Sequence, residues 1–216
     1  MPLPSPDKPV LIPDQPVDIG YTCSWFAVRD MDPYELAAIF RLGYVRDCNW
    51  EYGIAATKTD GVFISPPLQG WRLVLGRQLP FADGELNREQ VLALLARSSS
   101  KAGEAQFFAT HRVSEFHCWM KAQAGHLVRA YAYQGDHLEV VQDIGARTSG
   151  EPADLLSAAD LAALEEDEDV ALSFPDEDVV MAIAAAWSID PNTISTSNEQ
   201  QTLGVVGTVL NGYSLR

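Results

Sequence analysis

The residues of this chain whose chemistry could support a reaction are histidines and carboxylates, and three of them form a predicted cluster. Glu115 and His117 are two positions apart on a predicted strand, and Glu139 follows on a later strand of the same predicted sheet. We place His117 and Glu139 two strand spacings apart, about 9–10 Å, on the polar face of that sheet. A histidine near a carboxylate can act as an acid–base pair. On the same face, Trp119 would wall a pocket that Ala132 leaves open.

This cluster also has a plainer interpretation, which is an ordinary sheet surface that faces solvent or is covered by a helix. No nucleophile or oxyanion-stabilising device accompanies the pair. The chain contains no GxGxxG, GxxxxGK[ST] or GxSxG motif, so nucleotide-binding and hydrolase functions have no anchor in the sequence. We therefore expect no cofactor, and a binding protein rather than an enzyme.

The sequence predicts no metal site. His111 and His117 are six residues apart on one strand, which separates them by roughly 20 Å, far beyond the reach of a shared metal ion. His126 and His137 lie at opposite hairpin turns. The acidic run at 165–169 lacks the alternating ligands and the glycine of an EF-hand loop.

The cysteines and the N-terminus indicate the compartment. Cys23, Cys48 and Cys118 are odd in number and widely spaced, and no CxxC pair occurs, so we interpret them as reduced thiols. Cys118 is predicted to lie on a core face as a small buried side chain. The proline-rich start lacks the apolar segment of a secretory signal, and no run of eighteen apolar residues is present. These observations favour a cytoplasmic protein without a membrane span.

Local patterns predict the elements that would position these residues. Predicted helices begin at Asp32, where a capping box precedes an apolar face that ends at Gly43, and at Asn87, which leads to a polar loop at Ser98. Two more are expected, a short one from about Ser157 to Leu164 and an amphipathic one opened by Pro175. The inward side of the latter is predicted to carry Val179, Val180, Ile183 and Trp187. The predicted strands outside the central region lie at 21–28, 52–57, 62–65, 71–76 and 203–210, with Asp60-Gly61 as a hairpin turn.

Residues 105–142 are predicted to form a three-stranded meander. A two-residue turn at Ala124-Gly125 would pair Phe116 with Tyr133, and a second one at Gly135-Asp136 would pair Tyr133 with Leu138. That register collects one apolar core face and leaves the other face polar. The core face contains Phe116, Cys118, Tyr131, Tyr133, Leu138 and Val140, and the polar face contains Glu115, His117, Trp119, Ala132 and Glu139.

Together these elements predict an α+β fold, in which a mainly antiparallel sheet packs with three or four helices. Residues 1–20 are interpreted as an extended lead-in, because prolines recur in this stretch. Residues 21–216 are interpreted as a single domain whose last third is acidic.

The negative charge is concentrated near the end of the chain. The formal net charge is −15, and residues 148–215 contain thirteen acidic residues but no lysine or arginine. Such a field repels nucleic acids and anionic membranes, and it attracts proteins with a basic surface. An acidic surface that only aids solubility is the alternative. The predicted partner-binding residues are Glu165, Glu166, Asp167, Glu168, Asp169, Asp176, Glu177 and Asp178.

Several phrases between about residues 60 and 191 carry a resemblance. They are Ser65-Pro66-Pro67 with Gly70-Trp71, Thr110-His111-Arg112-Val113 with Glu115, LVRAYAY at 127–133 and AAAWSIDP at 184–191. In these phrases the chain resembles uncharacterised bacterial cytosolic proteins, loosely of the toxin-immunity type. The resemblance implies a protein that neutralises a toxin by binding it, and it implies no catalytic residue.

Three functions follow from the sequence. The first is an immunity-type protein that covers a cognate toxin domain with its acidic surface. The second is a small enzyme that uses the cluster of His117, Glu115 and Glu139. The third is a regulatory or scaffold domain, which would share the acidic surface with the first.

Overall fold

One nine-stranded antiparallel sheet organises the protein in its computed structural model, which describes residues 12–19, 24–164, 174–196 and 201–210. The strands are β1 (Ser24–Arg29), β2 (Leu42–Cys48), β3 (Gly61–Ile64), β4 (Trp71–Leu75), β5 (Glu104–His111), β6 (Phe116–Gln123), β7 (His126–Gln134), β8 (Glu139–Ile144) and β9 (Gly204–Val209). Their order across the sheet is β2-β9-β3-β4-β1-β5-β6-β7-β8. The α+β fold with an antiparallel sheet is confirmed.

Helices cover both faces of this sheet. In the described residues they are α1 (Pro33–Ile39), α2 (Trp50–Ala56), α3 (Glu85–Ala102), α4 (Ala158–Leu164) and α5 (Glu177–Trp187). One apolar core joins one sheet face to α1 and α3, and a second core joins the opposite face to α2 and α5. None of the helices in the described part of the chain has the length and apolarity needed to cross a bilayer.

The predicted starts of α1 and α5 have clear local causes. Asp32 caps α1 by accepting hydrogen bonds from the backbone N–H groups of Tyr34 and Glu35, both at 2.9 Å. Asp176 caps α5 by accepting from the N–H of Val179 at 2.9 Å. The predicted inward side of α5 is confirmed, since Val180, Ile183 and Trp187 are buried and Val179 packs against the same core.

The strand predicted at 52–57 is wrong, because these residues belong to α2. Asn49 caps this helix, and its side chain accepts from the N–H of Tyr52 at 3.1 Å. Asp14 accepts from the N–H groups of Trp50 and Glu51 at 2.7 and 2.9 Å. A carboxylate that is distant in sequence therefore satisfies the first turn, and the hairpin expected at Asp60-Gly61 does not form.

Two other predicted boundaries differ from the structure. Gly43 does not end a helix but lies in β2, an edge strand that local patterns did not indicate. Ser98–Ser100 do not form a loop, because α3 begins at Glu85 and continues to Ala102. The side chains of Ser99 and Ser100 donate to backbone carbonyls three residues earlier, which lets them stay inside the helix.

Residues 105–142 contain four strands instead of the predicted three, because a turn at 112–115 separates β5 from β6. His111 and His117 therefore lie on adjacent strands, where Thr110 is the partner of His117, and not roughly 20 Å apart on one strand.

The predicted register of the meander is correct beside its first turn and wrong beyond it. Ala124 and Gly125 both have positive φ, and Ala122 pairs with Leu127 as expected. A bulge then inserts Val128, so that Lys121 pairs with Arg129 and the register shifts by one residue. Phe116 therefore pairs with Gln134 instead of Tyr133.

This one-residue shift exchanges the faces of β7. Ala130 and Ala132 join Phe116 and Cys118 in the core beneath α3. Tyr131 and Tyr133 join Trp119 in the core beneath α5. The predicted core face therefore mixed side chains from two different cores.

The second turn of the meander is longer than predicted. Residues Gly135–His137 form a 3-10 turn, and Leu138 adopts a left-handed conformation with φ 48°. Tyr133 pairs with Val140 instead of Leu138. Leu138 thus projects from the turn and is 62% exposed, although the sequence placed it in the core.

A buried arginine ties the chain after β8 to the sheet. Arg129 is 0% exposed and donates from Nε and Nη2 to the carboxylate of Glu151, at distances of 2.6–3.0 Å. Its Nη1 donates to Asp143 at 2.5 Å. These bonds neutralise a charge that is costly to bury alone.

The same network continues to α5. The hydroxyl and N–H of Thr148 donate to Glu151, and the hydroxyl accepts from Nε1 of Trp187 at 2.9 Å. Tyr131 donates from its hydroxyl to the backbone carbonyl of Leu156 at 2.8 Å. The segment after β8 is therefore fixed on the sheet, and it holds the last residue of α5.

Removal of this arginine should destabilise the fold strongly. Arg129→Met leaves Glu151 buried without its partner, so the free energy of unfolding should fall by about 3–5 kcal/mol in urea denaturation at pH 7. Arg77→Met, at an exposed arginine, is the matched control and should change it by less than about 0.5 kcal/mol. Equal stability of the two variants would show that the network does not anchor the segment.

Candidate functional site

A groove of about 720 Å³ lies where the start of α5 meets the ends of β6 and β7. The β5–β6 turn, the β7–β8 turn and the residues before α5 form its walls. It is lined by Arg112, Glu115, His117, Tyr133, Leu138, Phe174, Pro175, Asp176, Glu177 and Asp178. Residues predicted separately, for catalysis and for partner binding, therefore meet at one site.

His117 is a buried polar group of the groove. It lies on β6 between Thr110 of β5 and Tyr133 of β7, and it is only 5% exposed. Its Nδ1 is 3.0 Å from the hydroxyl oxygen of Thr110, and the two groups share a hydrogen bond. Nε2 is consequently the ring nitrogen that is left to meet a ligand in the groove.

The environment keeps this imidazole neutral. Burial lowers the pKa of His117 below its ordinary value, and the nearby carboxylates of Asp176, Glu177 and Glu115 oppose that shift without cancelling it. The ring is therefore uncharged at neutral pH and adds no positive charge to the groove.

The first turn of α5 supplies most of the negative charge. Asp176 serves as the helix cap, and Glu177 and Asp178 follow it. Arg112, from the β5–β6 turn, donates from Nε to both oxygens of Glu177 at 2.6 Å. This pair joins the turn to the helix across the groove, although the Arg112 side chain is 70% exposed.

Glu115 reaches the groove from a strained turn. Its φ is 45°, and its carbonyl oxygen accepts from the N–H of Gly135 at 3.0 Å. A Cβ at position 135 would collide with the Glu115 side chain, so the glycine permits this approach. The β5–β6 turn and the β7–β8 turn therefore fix the position of the Glu115 carboxylate.

The remaining wall is apolar and aromatic. The rings of Tyr133 and Phe174 have centroids 6.2 Å apart and an interplanar angle of 63°. Phe174 is 45% exposed, and Leu138 projects beside it. Burial, with a smaller contribution from Glu115, raises the pKa of Tyr133, so its phenol stays protonated and can donate a hydrogen bond.

The structure brings only part of the predicted catalytic cluster together. Glu115 and His117 share the groove, whereas Glu139 lies on the opposite face of the sheet, in a cleft with Arg88 and His137. The prediction that His117 and Glu139 converge is wrong, because the bulge in β7 and the longer turn before β8 change the register twice.

The prediction of a pocket over Ala132 is also wrong. Ala132 belongs to the core beneath α3, on the face opposite to Trp119. Trp119 is fully buried and stacks on Tyr131 with centroids 4.5 Å apart. The space above this part of the sheet is filled by packing, and the groove begins only beyond it, at His117 and Tyr133.

The remaining sequence predictions concern the acidic run at 165–169, metal binding and Cys118. The acidic run at Glu165, Glu166, Asp167, Glu168 and Asp169 lies outside the described residues. Within the described residues, no group of three or more histidine, cysteine or carboxylate side chains is arranged to hold a metal ion. Cys118 lies in the core, and burial raises the pKa of its thiol.

Five groove residues were not predicted as site residues, namely Arg112, Tyr133, Leu138, Phe174 and Pro175. Tyr133 and Leu138 were assigned to the core face because the register was shifted. Arg112 meets Glu177 only through tertiary packing, since 65 positions separate them. Both faces of β7 are apolar in sequence, and this pattern could have indicated that Tyr133 belongs to either face.

Comparison of the chain with protein-family models, with curated proteins and with solved structures found no match. The resemblance to proteins of the toxin-immunity type stays a prediction. The groove and its charges are therefore the basis for a functional proposal.

Two isosteric variants test the electrostatics of the groove. Glu115→Gln removes a carboxylate that raises the pKa of His117, so this pKa should fall further below about 6.5 in an NMR titration of the ring. Glu139→Gln is the matched control and should leave it unchanged, because Glu139 lies on the other face.

The lowered pKa of His117 also makes the stability of the protein depend on pH. As the pH falls below about 6.5, the unfolded chain takes up a proton at His117 before the folded protein does, so the free energy of unfolding decreases. His117→Gln should make this decrease shallower between the ordinary pKa and the lowered folded pKa. A response of the His117 pKa to Glu139→Gln would contradict the assignment of the faces.

Proposed function

We propose that this protein is an immunity-type binding protein that neutralises a cognate bacterial toxin by docking on its basic surface. The observation that carries the proposal is the acidic groove at the start of α5. Three of the predicted partner-binding residues, Asp176, Glu177 and Asp178, line it together with Glu115.

The charge of the groove supports a basic partner. Four carboxylates face one guanidinium, that of Arg112, and the buried His117 is neutral. A concave site of one charge sign raises the local concentration of an oppositely charged partner and accelerates its encounter. Toxin domains that act on anionic substrates such as nucleic acids carry the complementary positive charge.

The apolar wall supports a protein as the partner. Exposed Leu138 and Phe174 lie beside the carboxylates, so apolar area and charge are available at one place. Protein interfaces combine a desolvated apolar centre with a polar rim. Aromatic residues in such a centre often contribute most of the binding free energy.

The alternative of a small enzyme retains less support. The groove keeps Glu115 beside a neutral His117, which could exchange a proton, but Glu139 is on the other face. A regulatory or scaffold domain could use the same groove, and the toxicity of the partner distinguishes that function from an immunity protein.

Co-expression tests the function directly. Growth of cells that express the toxic product of a gene adjacent to this one should be restored by the protein, and the two should co-purify. A partner that binds but is not toxic would favour a scaffold, and a toxic neighbour that is neither bound nor neutralised would contradict the proposal.

Charge reversal tests the use of the acidic surface. Asp178→Lys, and separately a triple change of Glu165, Glu166 and Asp167 to lysine, should each reduce the association rate constant by about tenfold at low salt. The difference should shrink in about 1 M salt, where the Debye length is about 3 Å.

Glu89→Lys is the matched control, because it makes the same charge change at an exposed position of α3, on the opposite side of the sheet. Its association rate constant should stay close to that of the parent protein. If Asp178→Lys and Glu89→Lys slow the association equally, only the net charge matters and the groove has no special part in docking.

A further inference from the structure

We propose that the groove is a receptor for an arginine side chain of the partner, and that Arg112 holds the Glu177 carboxylate until that arginine replaces it. The inference rests on the proposed function and deepens it by naming the chemical group that is recognised. Charge, a buried acceptor and an aromatic wall are the three observations that support it.

The carboxylate of Glu177 already binds a guanidinium. Both of its oxygens accept from Nε of Arg112 at 2.6 Å, so their position and charge suit this group. The Arg112 side chain is mostly exposed, and pairs with an exposed partner contribute little to stability. A partner arginine that is enclosed by the groove can therefore displace it.

His117 offers a buried acceptor beside these carboxylates. A hydroxyl can accept as well as donate, so Thr110 can accept a hydrogen bond from Nδ1–H, which leaves the lone pair of Nε2 toward the groove. A cationic ligand selects this tautomer, because the other would point an N–H at a positive charge. The low pKa of the ring keeps it from becoming a competing cation.

The aromatic wall favours a guanidinium over an ammonium. Tyr133 is buried, but the half-exposed ring of Phe174 that packs against it offers a flat face on which a planar guanidinium can stack and against which its aliphatic stem can lie. An ammonium is compact and strongly hydrated, so it gains less from such a wall. At about 720 Å³ the groove also has room for residues that flank the arginine.

Titration with amino-acid amides tests this recognition without the partner. N-acetyl-arginine amide should shift the NMR signals of Glu115, His117 and Tyr133 and saturate them at a concentration about fivefold lower than N-acetyl-lysine amide. During the titration, Nε2 of His117 should keep the ¹⁵N shift region of an unprotonated imidazole nitrogen.

Three substitutions by glutamine distinguish the roles of the charges. Glu177→Gln should weaken the binding of the arginine amide by about tenfold, because it removes the carboxylate. Arg112→Gln should strengthen it by about threefold, because it removes the competitor. Arg77→Gln, at an exposed arginine outside the groove, should change nothing. Thermal melting of each variant verifies that it is folded.

Several results would overturn the proposal. They are equal saturation by the arginine and lysine amides, shifts outside the groove, a proton on Nε2, or weaker binding by Arg112→Gln. The proposed function fails in a different way, through a toxin that is not neutralised. Neutralisation without arginine binding would overturn the arginine receptor while the proposed function stands.

Discussion

The buried charge of Arg129 is the constraint on which the rest of this structure depends. A guanidinium inside the protein must be neutralised and fully hydrogen-bonded, and Glu151 and Asp143 do this from two sides. Because Glu151 follows β8, its pairing fixes the segment that carries Thr148 and contacts Trp187 at the end of α5. The helix is thereby positioned on the sheet, and its other end forms the groove.

A single inserted residue decides what that groove contains. The bulge at Val128 turns Arg129, Tyr131 and Tyr133 toward α5, whereas an unbulged strand would turn them toward α3. The same shift places Tyr133 beside His117 in the groove. Acidic residues at the start of α5 suit the helix dipole, and they would also suit the proposed basic partner. The structural role and the proposed binding role of these residues therefore agree.

Features fixed by neighbouring residues could be predicted from the sequence. The Asp32 cap, the inward side of α5, the turn at Ala124-Gly125 and the location of the acidic residues are of this kind. The bulge could not be predicted, because both faces of this sheet are buried and apolar alternation does not distinguish them. Helix α2 was missed because Asp14, distant in sequence, completes its first turn. Glu115, His117 and the acidic residues at 176–178 were predicted as site residues. Their position in one groove could not be predicted, because it depends on tertiary packing.

The groove at the start of α5 is the proposed binding site for a basic partner protein. Amide hydrogen exchange of the protein alone and in complex with its proposed toxin partner is the decisive measurement. Protection should increase most in residues 112–117, 133–138 and 176–180, which surround the groove. Protection confined to the edge strand β2 and its neighbour β9, with the groove residues unchanged, would contradict it.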